Sequence, residues 1–176
     1  MKSLLFIFAF LLFPIPTTEK IPWSKTNPLE WEDFKGKPNH NAGFVASTNT
    51  GIHFYYSFSI NQEKEVKVNY TVESFFNREK SWFIPDLVTQ HILNHEQAHF
   101  DITELHARIL RKRLSEKKFT AKIKTEIERI YHATEKERIA MQRQFDKETD
   151  HSRNEEKEIA WEKQIAKHLA NYEQWK

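Results

Sequence analysis

Cysteine is absent from this chain of 176 residues, and glycine occurs only 3 times. Without cysteine the protein forms no disulfide and no thiolate metal site, and it has no cysteine nucleophile. Any metal must therefore be held by His, Asp or Glu, and the chain has 9 His and 25 acidic residues. The scarcity of glycine, beside many Lys, Glu and Gln residues, favours helices over sheets.

The chain also lacks a strong net charge of either sign. Lys and Arg number 27 against 25 Asp and Glu, which gives a formal charge of +2 at pH 7, and the two signs alternate along the sequence. Because no dominant field attracts an anionic partner, we expect no nucleic acid binding. The length and the 39% of hydrophobic residues fit one domain with its own core, which we assign to residues 19–176.

Long hydrophobic runs are likewise absent, apart from one at the start of the chain. Lys2 is followed by the apolar run Leu4–Phe13, which Pro14 and Pro16 close. A positive charge before a short apolar run is typical of a signal peptide, which we assign to residues 1–18. The run is too short to span a bilayer comfortably as a helix. We therefore expect a secreted or periplasmic protein with no stable membrane span after signal removal.

The rest of the chain divides into a strand-forming part and a helical part. Apolar residues alternate over Ile52–Ile60 and Val66–Val72, which predicts a β-hairpin, and residues 44–48 are the candidate for a third strand. A helical period then runs from about 81–86 to Leu114 and returns over Ala121–Phe145.

A polar interruption at residues 146–154 precedes the last helical segment. The fold class we expect is α+β and helix-rich. An N-terminal β-hairpin or small antiparallel sheet packs on a long helix and on two further helices.

The long helix contains the pattern His95-Glu96-x-x-His99. Residues four positions apart lie on one helix face, with about 5 to 6 Å between Cβ atoms, so two imidazoles reach a single ion. Glu96 projects beside that ion, where a carboxylate accepts a proton from an activated water. A catalytic zinc takes three protein ligands and leaves one position for water. The pattern predicts one Zn²⁺ ion with one ligand still to be found.

The third ligand has several candidates. His91 and His106 share the helix face, but a regular helix does not bring three consecutive turns to one ion, so we interpret them as neighbours. The remaining candidates come from later segments: His132, His151, His168, Glu126, Glu128 and Glu135. We favour His151 because Glu148 and Asp150 stand in the same loop and can orient its ring.

Several further residues have supporting roles in this hypothesis. Asp101 and Glu104 point away from the metal face of a regular helix, so we assign them to orienting neighbours. A donor for the substrate oxyanion is also required, and Tyr131, His132 and Arg108 are the candidates.

Four groups of residues carry a family resemblance, in this order: Trp31-x-x-Phe34-x-Gly36-x-Pro38; Ser81-Trp82; His95-Glu96-x-x-His99-Phe100-Asp101-Ile102 with Glu104 and Arg108; and Asp146-x-Glu148-Thr149-x-His151 with Trp161. In these features the chain resembles a bacterial family of uncharacterised domains described as predicted secreted zinc-dependent proteases. The resemblance implies zinc on His95 and His99, Glu96 as the base, and a role for His151.

Two functional hypotheses follow from the sequence. The first is a zincin-like metallopeptidase domain that acts on a peptide or protein substrate, with zinc on His95, His99 and His151. The second is a non-catalytic envelope binding or assembly protein, in which zinc staples the long helix to the terminal loop and Glu148 or Asp150 completes a closed shell. A weaker third hypothesis is a helical interaction domain whose histidines bind no metal.

Overall fold

The computed structural model describes residues 19–176, so the predicted signal peptide lies outside the described residues. Within residues 19–176 the strands are β1 Lys20–Pro22, β2 Ala46–Ser47, β3 Thr50–Ile60, β4 Val66–Asn77 and β5 Trp82–Phe83. The helices in the same range are α1 Gln90–Glu116, α2 Ile123–Thr149 and α3 Glu155–Asn171. The predicted helix-rich α+β class is confirmed.

The β3–β4 hairpin occurs where the alternating pattern predicts it. Its strands pair antiparallel from Thr50↔Phe76 to Ile60↔Val66, and Ile52 and Val72 face the core. Residues 44–48, the candidate for a third strand beside the hairpin, do contain a strand, β2, but it does not join the hairpin sheet. β4 extends past the predicted hairpin end to Asn77, and β1 pairs with this extension. β2 instead pairs with β5 in a separate two-stranded sheet.

The start of α1 also differs from the prediction. Residues 81–86 do not begin the helix, because Trp82–Phe83 is a strand and Pro85–Leu87 is a single 3-10 turn. The helix begins at Gln90, where Thr89 is the N-cap and its side chain accepts a hydrogen bond from the Ile92 amide. A capping hydroxyl satisfies a backbone donor that the first helical turn leaves without a partner, which explains the later start.

Helix α1 lies at the centre of the molecule. Its side toward the hairpin packs Ala107, Leu110 and Leu114 against Ile52 and Val72. Another side packs against α2 and α3 through a second apolar cluster, which consists of Ala98, Ile102, Phe145, Trp161 and Ile165. Since both layers pack on α1, its middle is buried, including the polar residues His95, Glu96 and Glu104. Among residues 19–176, no helix is long and apolar enough to cross a membrane.

A buried ion pair joins α1 to the hairpin and to the C-terminal segment. Arg108, only 1% exposed, donates to the Glu104 carboxylate at 2.9 Å and to the Leu169 carbonyl at 2.8 Å. Glu104 also accepts from the Ser74 hydroxyl at 2.6 Å. Arg108 also donates to the Glu173 carboxylate at 2.6 Å, and Arg111 to Glu104 at 3.3 Å. Burying a charge is unfavourable unless it is paired and hydrogen-bonded, so this network stabilises both charges.

We expect Arg108→Met to lower the free energy of unfolding by about 3 to 5 kcal/mol, because it leaves the Glu104 charge buried without its closest cation. Urea unfolding followed by circular dichroism measures the change. Arg113→Met is the control, since Arg113 pairs with Glu137 nearer the surface and should cost about 1 kcal/mol or less. A double Glu104→Gln/Arg108→Met variant as unstable as the sum of the two single variants would contradict the coupling.

Candidate metal centre

Helix α1 brings His95 and His99 together on its face toward α2. Their ring centroids lie 4.9 Å apart, and the ring planes are inclined by 83°. Phe145 of α2 stacks on the His95 ring at 4.5 Å and meets the His99 ring edge-on at 5.2 Å. Because His95 is 4% exposed and Phe145 is fully buried, these contacts fix the orientation of both imidazoles.

Asp146 is the third member of the cluster. Its Oδ1 atom lies 2.9 Å from the Nε2 atom of His99 and 3.3 Å from the Nε2 atom of His95. The ligand atoms of the three residues all lie within 4.8 Å of one another. The sequence placed Asp146 in a break after the second helix, but α2 continues to Thr149. Asp146 therefore follows Phe145 on the last helical turn and faces α1.

The three side chains fit a divalent metal such as zinc. Two donors of a tetrahedral zinc ion, each about 2.0 to 2.1 Å from the metal, lie about 3.3 Å apart. The observed separations of 3.3 and 2.9 Å between Asp146 Oδ1 and the two Nε2 atoms are close to this value. Two imidazoles with one carboxylate also form a donor set that is typical of catalytic zinc, which prefers nitrogen and oxygen ligands in such sites.

Glu158 of α3 holds the other nitrogen of His95. Its Oε2 atom lies 3.3 Å from His95 Nδ1 and 3.6 Å from His91 Nε2, and the side chain is fully buried. When a carboxylate accepts a hydrogen bond from Nδ1–H, the proton stays on Nδ1 and the lone pair of Nε2 is available to bind a metal. The same hydrogen bond fixes the orientation of the ring. Sequence reasoning missed both Asp146 and Glu158 as site residues. The signal for Asp146 was its place in the last group of the family resemblance.

These carboxylates set the electrostatics of the cluster. Burial by itself lowers the pKa of His95, but hydrogen bonds to Asp146 and Glu158 outweigh it and raise the pKa to about 9. For Asp146, burial raises the pKa, and the hydrogen bonds from His95 and His99 reverse this and hold it well below its usual range. Asp146 therefore carries a negative charge near neutral pH.

A cleft of about 450 Å³ opens over the cluster. Glu96 lies on its floor beside His95, is 4% exposed, and has an Oε2 atom that is buried without a hydrogen-bond partner. Residues Ala46–Thr48 form one wall, and the exposed apolar side chains of Phe44 and Leu87 lie on the rim. A buried carboxylate oxygen with no partner is unfavourable unless a ligand, ion or water pairs with it.

His151, the predicted third ligand, lies at the mouth of the same cleft. Its side chain is 48% exposed, and its Nδ1 atom is 3.7 Å from Asp146 Oδ1, farther than the nitrogen of either histidine in the cluster. The two carboxylates that we expected to orient its ring form contacts with other residues instead. Glu148 accepts from Gln144 and Trp161, and Asp150 pairs with Arg153. The ring instead stacks on Phe44 at 5.8 Å.

The other predicted site residues lie away from the cleft. Asp101 accepts from Trp23 Nε1 and Gln97 Nε2, both at 2.7 Å, on the side of α1 that faces the N-terminal arm. Glu104 and Arg108 form the structural ion pair described above. Arg108 is thereby excluded as an oxyanion donor in this conformation, because its guanidinium is buried outside the cleft.

Of the remaining histidines of α1, His91 lines the cleft beside the cluster, whereas His106 bonds within its own helix. His91 Nε2 hydrogen-bonds the Ser152 carbonyl at 2.8 Å, and His106 Nδ1 donates to the Ile102 carbonyl at 2.8 Å.

One residue from the later segments joins the cluster, and it is Asp146 of α2. Over residues 19–176, the group that could hold a metal consists of His95, His99 and Asp146. That group does not include the candidates from the same segments that the sequence offers beside His151, which are His132, His168, Glu126, Glu128 and Glu135.

The chain belongs to a family of bacterial proteins of unknown function, DUF922, whose sequence profile matches residues 29–152. The match includes both histidines of the cluster, Glu96 and Asp146, and it ends before α3 and Glu158. The family description assigns no activity, so membership supports the resemblance without supporting the protease description. No curated protein and no solved structure matches the chain significantly.

We expect Asp146→Ala to weaken zinc binding by more than the ~10 to 100-fold that is typical of losing an outer partner, since it removes a direct ligand. Competition with a fluorescent zinc chelator measures the affinity. Asp150→Ala is the matched control, because Asp150 is an exposed acid four residues away that pairs only with Arg153 in the described structure. Equal zinc affinities for the two variants would remove Asp146 from the site.

We expect Glu158→Gln to weaken zinc binding by about 10 to 100-fold, because a neutral amide orients the His95 ring less strongly than a carboxylate. The same chelator competition applies. Glu156→Gln, an exposed neighbour on the first turn of α3, controls for the charge change. If Glu158→Gln binds zinc as tightly as the parent protein, the contact to His95 has no part in holding the metal.

Proposed function

We propose that this protein is a zinc-dependent hydrolase that cleaves peptide bonds. The observation that carries the proposal is the buried Oε2 atom of Glu96, which has no protein partner and lies beside two converging imidazoles and a carboxylate in an open cleft. A closed structural zinc site makes no use of such a carboxylate, whereas in the His-Glu-x-x-His hydrolases this carboxylate is the general base.

His95, His99 and Asp146 would hold the ion. When bound, zinc lowers the pKa of a water ligand towards 7 and polarises a substrate carbonyl. Glu158 keeps the His95 ring in place through Nδ1, so that Nε2 stays directed at the shared position. Phe145 excludes water from the other side of both rings.

Glu96 performs the proton transfers. It accepts one proton from the attacking water, whose oxygen forms a bond to the carbonyl carbon of the scissile peptide. Glu96 then delivers that proton to the amide nitrogen as the carbon–nitrogen bond breaks, so one water molecule is consumed for each carboxylate and amine produced.

The edge of β2 supports a peptide as the substrate. The Val45 carbonyl accepts from the Ile84 amide at 2.8 Å, and the register pairs Ala46 with Phe83. In an antiparallel ladder the next residue directs its N–H and C=O to the opposite edge, so the backbone of Ala46 faces away from β5. An extended peptide adds to such an edge by main-chain hydrogen bonds. Phe44 and Leu87 provide an apolar rim for its side chains.

The non-catalytic staple is less well supported. A closed structural site requires four protein ligands, and the sequence suggests Glu148 or Asp150 as the fourth. In the structure, Glu148 binds Gln144 and Trp161, and Asp150 lies beside Arg153.

We further propose that the protein acts after export, in the periplasm or outside the cell, since a signal-like segment precedes the domain.

We expect Glu96→Gln to bind zinc as the parent does and to reduce hydrolysis of fluorescein-labelled casein by about 10² to 10⁴-fold, because the amide cannot accept the proton. Zinc content by mass spectrometry and the initial rate of fluorescence release are measured on the same preparation. Glu137→Gln, an acid on the outer face of α2 that pairs with Arg113, is the matched control. A Glu96→Gln protein as active as the parent would reject the mechanism.

A further inference from the structure

We propose that His151 is a catalytic residue that contacts the substrate and not the metal. In this role its imidazole N–H donates a hydrogen bond to the carbonyl oxygen of the scissile bond as negative charge develops there. The inference rests on the proposed function, and it assigns a role to the one predicted metal ligand that the cluster does not include.

The position of the ring suits this role. His151 lines the same cleft as Glu96, and its Nδ1 atom is 3.7 Å from the Asp146 oxygen on which His95 and His99 converge. The ring is thus close enough to meet a substrate held at the cluster, yet outside the set of ligand atoms. With half of its side chain exposed, it remains accessible to a substrate.

The backbone at His151 and at its two neighbours is strained. Asp150, His151 and Ser152 have φ angles of 48°, 52° and 68°, so three consecutive non-glycine residues occupy the left-handed region. Each costs about 1 to 2 kcal/mol relative to the right-handed region. Such strain persists only where other contacts impose it, and it concentrates at functional sites.

Those contacts come from both sides of the cleft. The His151 amide donates to the Asp146 carbonyl at 3.0 Å, and the Ser152 carbonyl is hydrogen-bonded by His91 Nε2 at 2.8 Å. Across the cleft, Phe44 stacks on the His151 ring with an interplanar angle of 19°. The backbone of the turn is therefore held by α1 and α2, and the ring itself contacts the loop before β2.

Two other side-chain donors of the cleft, Gln142 and Arg153, are already engaged, whereas the Thr48 hydroxyl is buried without a partner. Gln142 Nε2 donates to the His99 carbonyl at 3.2 Å and to Thr103 Oγ1 at 3.0 Å. Arg153 donates to the Gly43 carbonyl at 3.3 Å and lies 3.7 Å from Asp150. In residues 19–176 the His151 ring nitrogens form no hydrogen bond with the protein, which leaves an N–H to offer to a substrate oxygen.

Two variants test the role. His151→Phe keeps an aromatic ring for the contact with Phe44 but has no N–H. His151→Gly also lacks the donor, and glycine adopts the left-handed backbone without the steric cost of a Cβ atom. We expect both variants to bind one zinc ion with the affinity of the parent, and the glycine variant to have a Tm no lower than the parent. His132→Phe, at an exposed position on α2, is the matched control.

The decisive readout is binding of an oxyanion mimic. The probe is a phosphinic pseudopeptide in which a PO₂–CH₂ unit replaces the peptide bond between two leucines, titrated calorimetrically into zinc-loaded protein. We expect both His151 variants to bind it about 10 to 100-fold more weakly than the parent, because each lacks one hydrogen bond to a charged oxygen. Hydrolysis of labelled casein should fall about 10² to 10³-fold, mainly in kcat.

The outcomes separate this inference from the proposed function. If His151→Phe and His151→Gly lose zinc, His151 is a ligand and the inference is overturned, while the proposed hydrolase stands. If both variants bind the mimic as tightly as the parent, the inference is overturned as well. If instead Glu96→Gln hydrolyses casein like the parent, or the parent binds neither zinc nor the mimic, the proposed function fails and this inference fails with it.

Discussion

The packing of Phe145 against the middle of α1 is the contact on which the candidate metal centre depends. Phe145 is fully buried between the rings of His95, His99 and Trp161. Phe145 anchors the last turn of α2. Asp146 is the next residue, so this contact places its carboxylate beside the Nε2 atoms of His95 and His99. An apolar contact thus positions a polar one, since side-chain directions on a helix are fixed once one of its residues is anchored.

Three helices are required to complete the centre. α1 supplies the two imidazoles and Glu96, α2 supplies Asp146, and α3 supplies Glu158 behind His95. The segment shared with the family ends before α3, so the support behind His95 comes from the part of the chain that the family profile does not match. Buried polar groups of this kind are tolerated where they pair with one another, as His95 does with Glu158, whereas the Oε2 atom of Glu96 and the Oε1 atom of Glu158 are buried without a hydrogen-bond partner.

The errors in the sequence-based fold have a common physical cause. The hairpin and the long helix follow from local periodicity, and the structure confirms both. The place of the third strand, and the strand that replaces the expected helix start at Trp82–Phe83, depended on which distant segment was available for pairing. Residues 44–48 pair with β5 because β4 continues to Asn77 and receives β1, and neither fact leaves a trace in the local pattern.

The sequence by itself determined that two imidazoles and a carboxylate lie on a buried stripe of one helix, because spacing along a helix fixes which side chains share a face. It also excluded cysteine chemistry outright. Only the tertiary structure decided that Asp146 joins the cluster while His151 stays at the rim. These two residues lie five positions apart near the end of α2, and their roles depend on where the helix ends and the left-handed turn begins, which long-range packing sets.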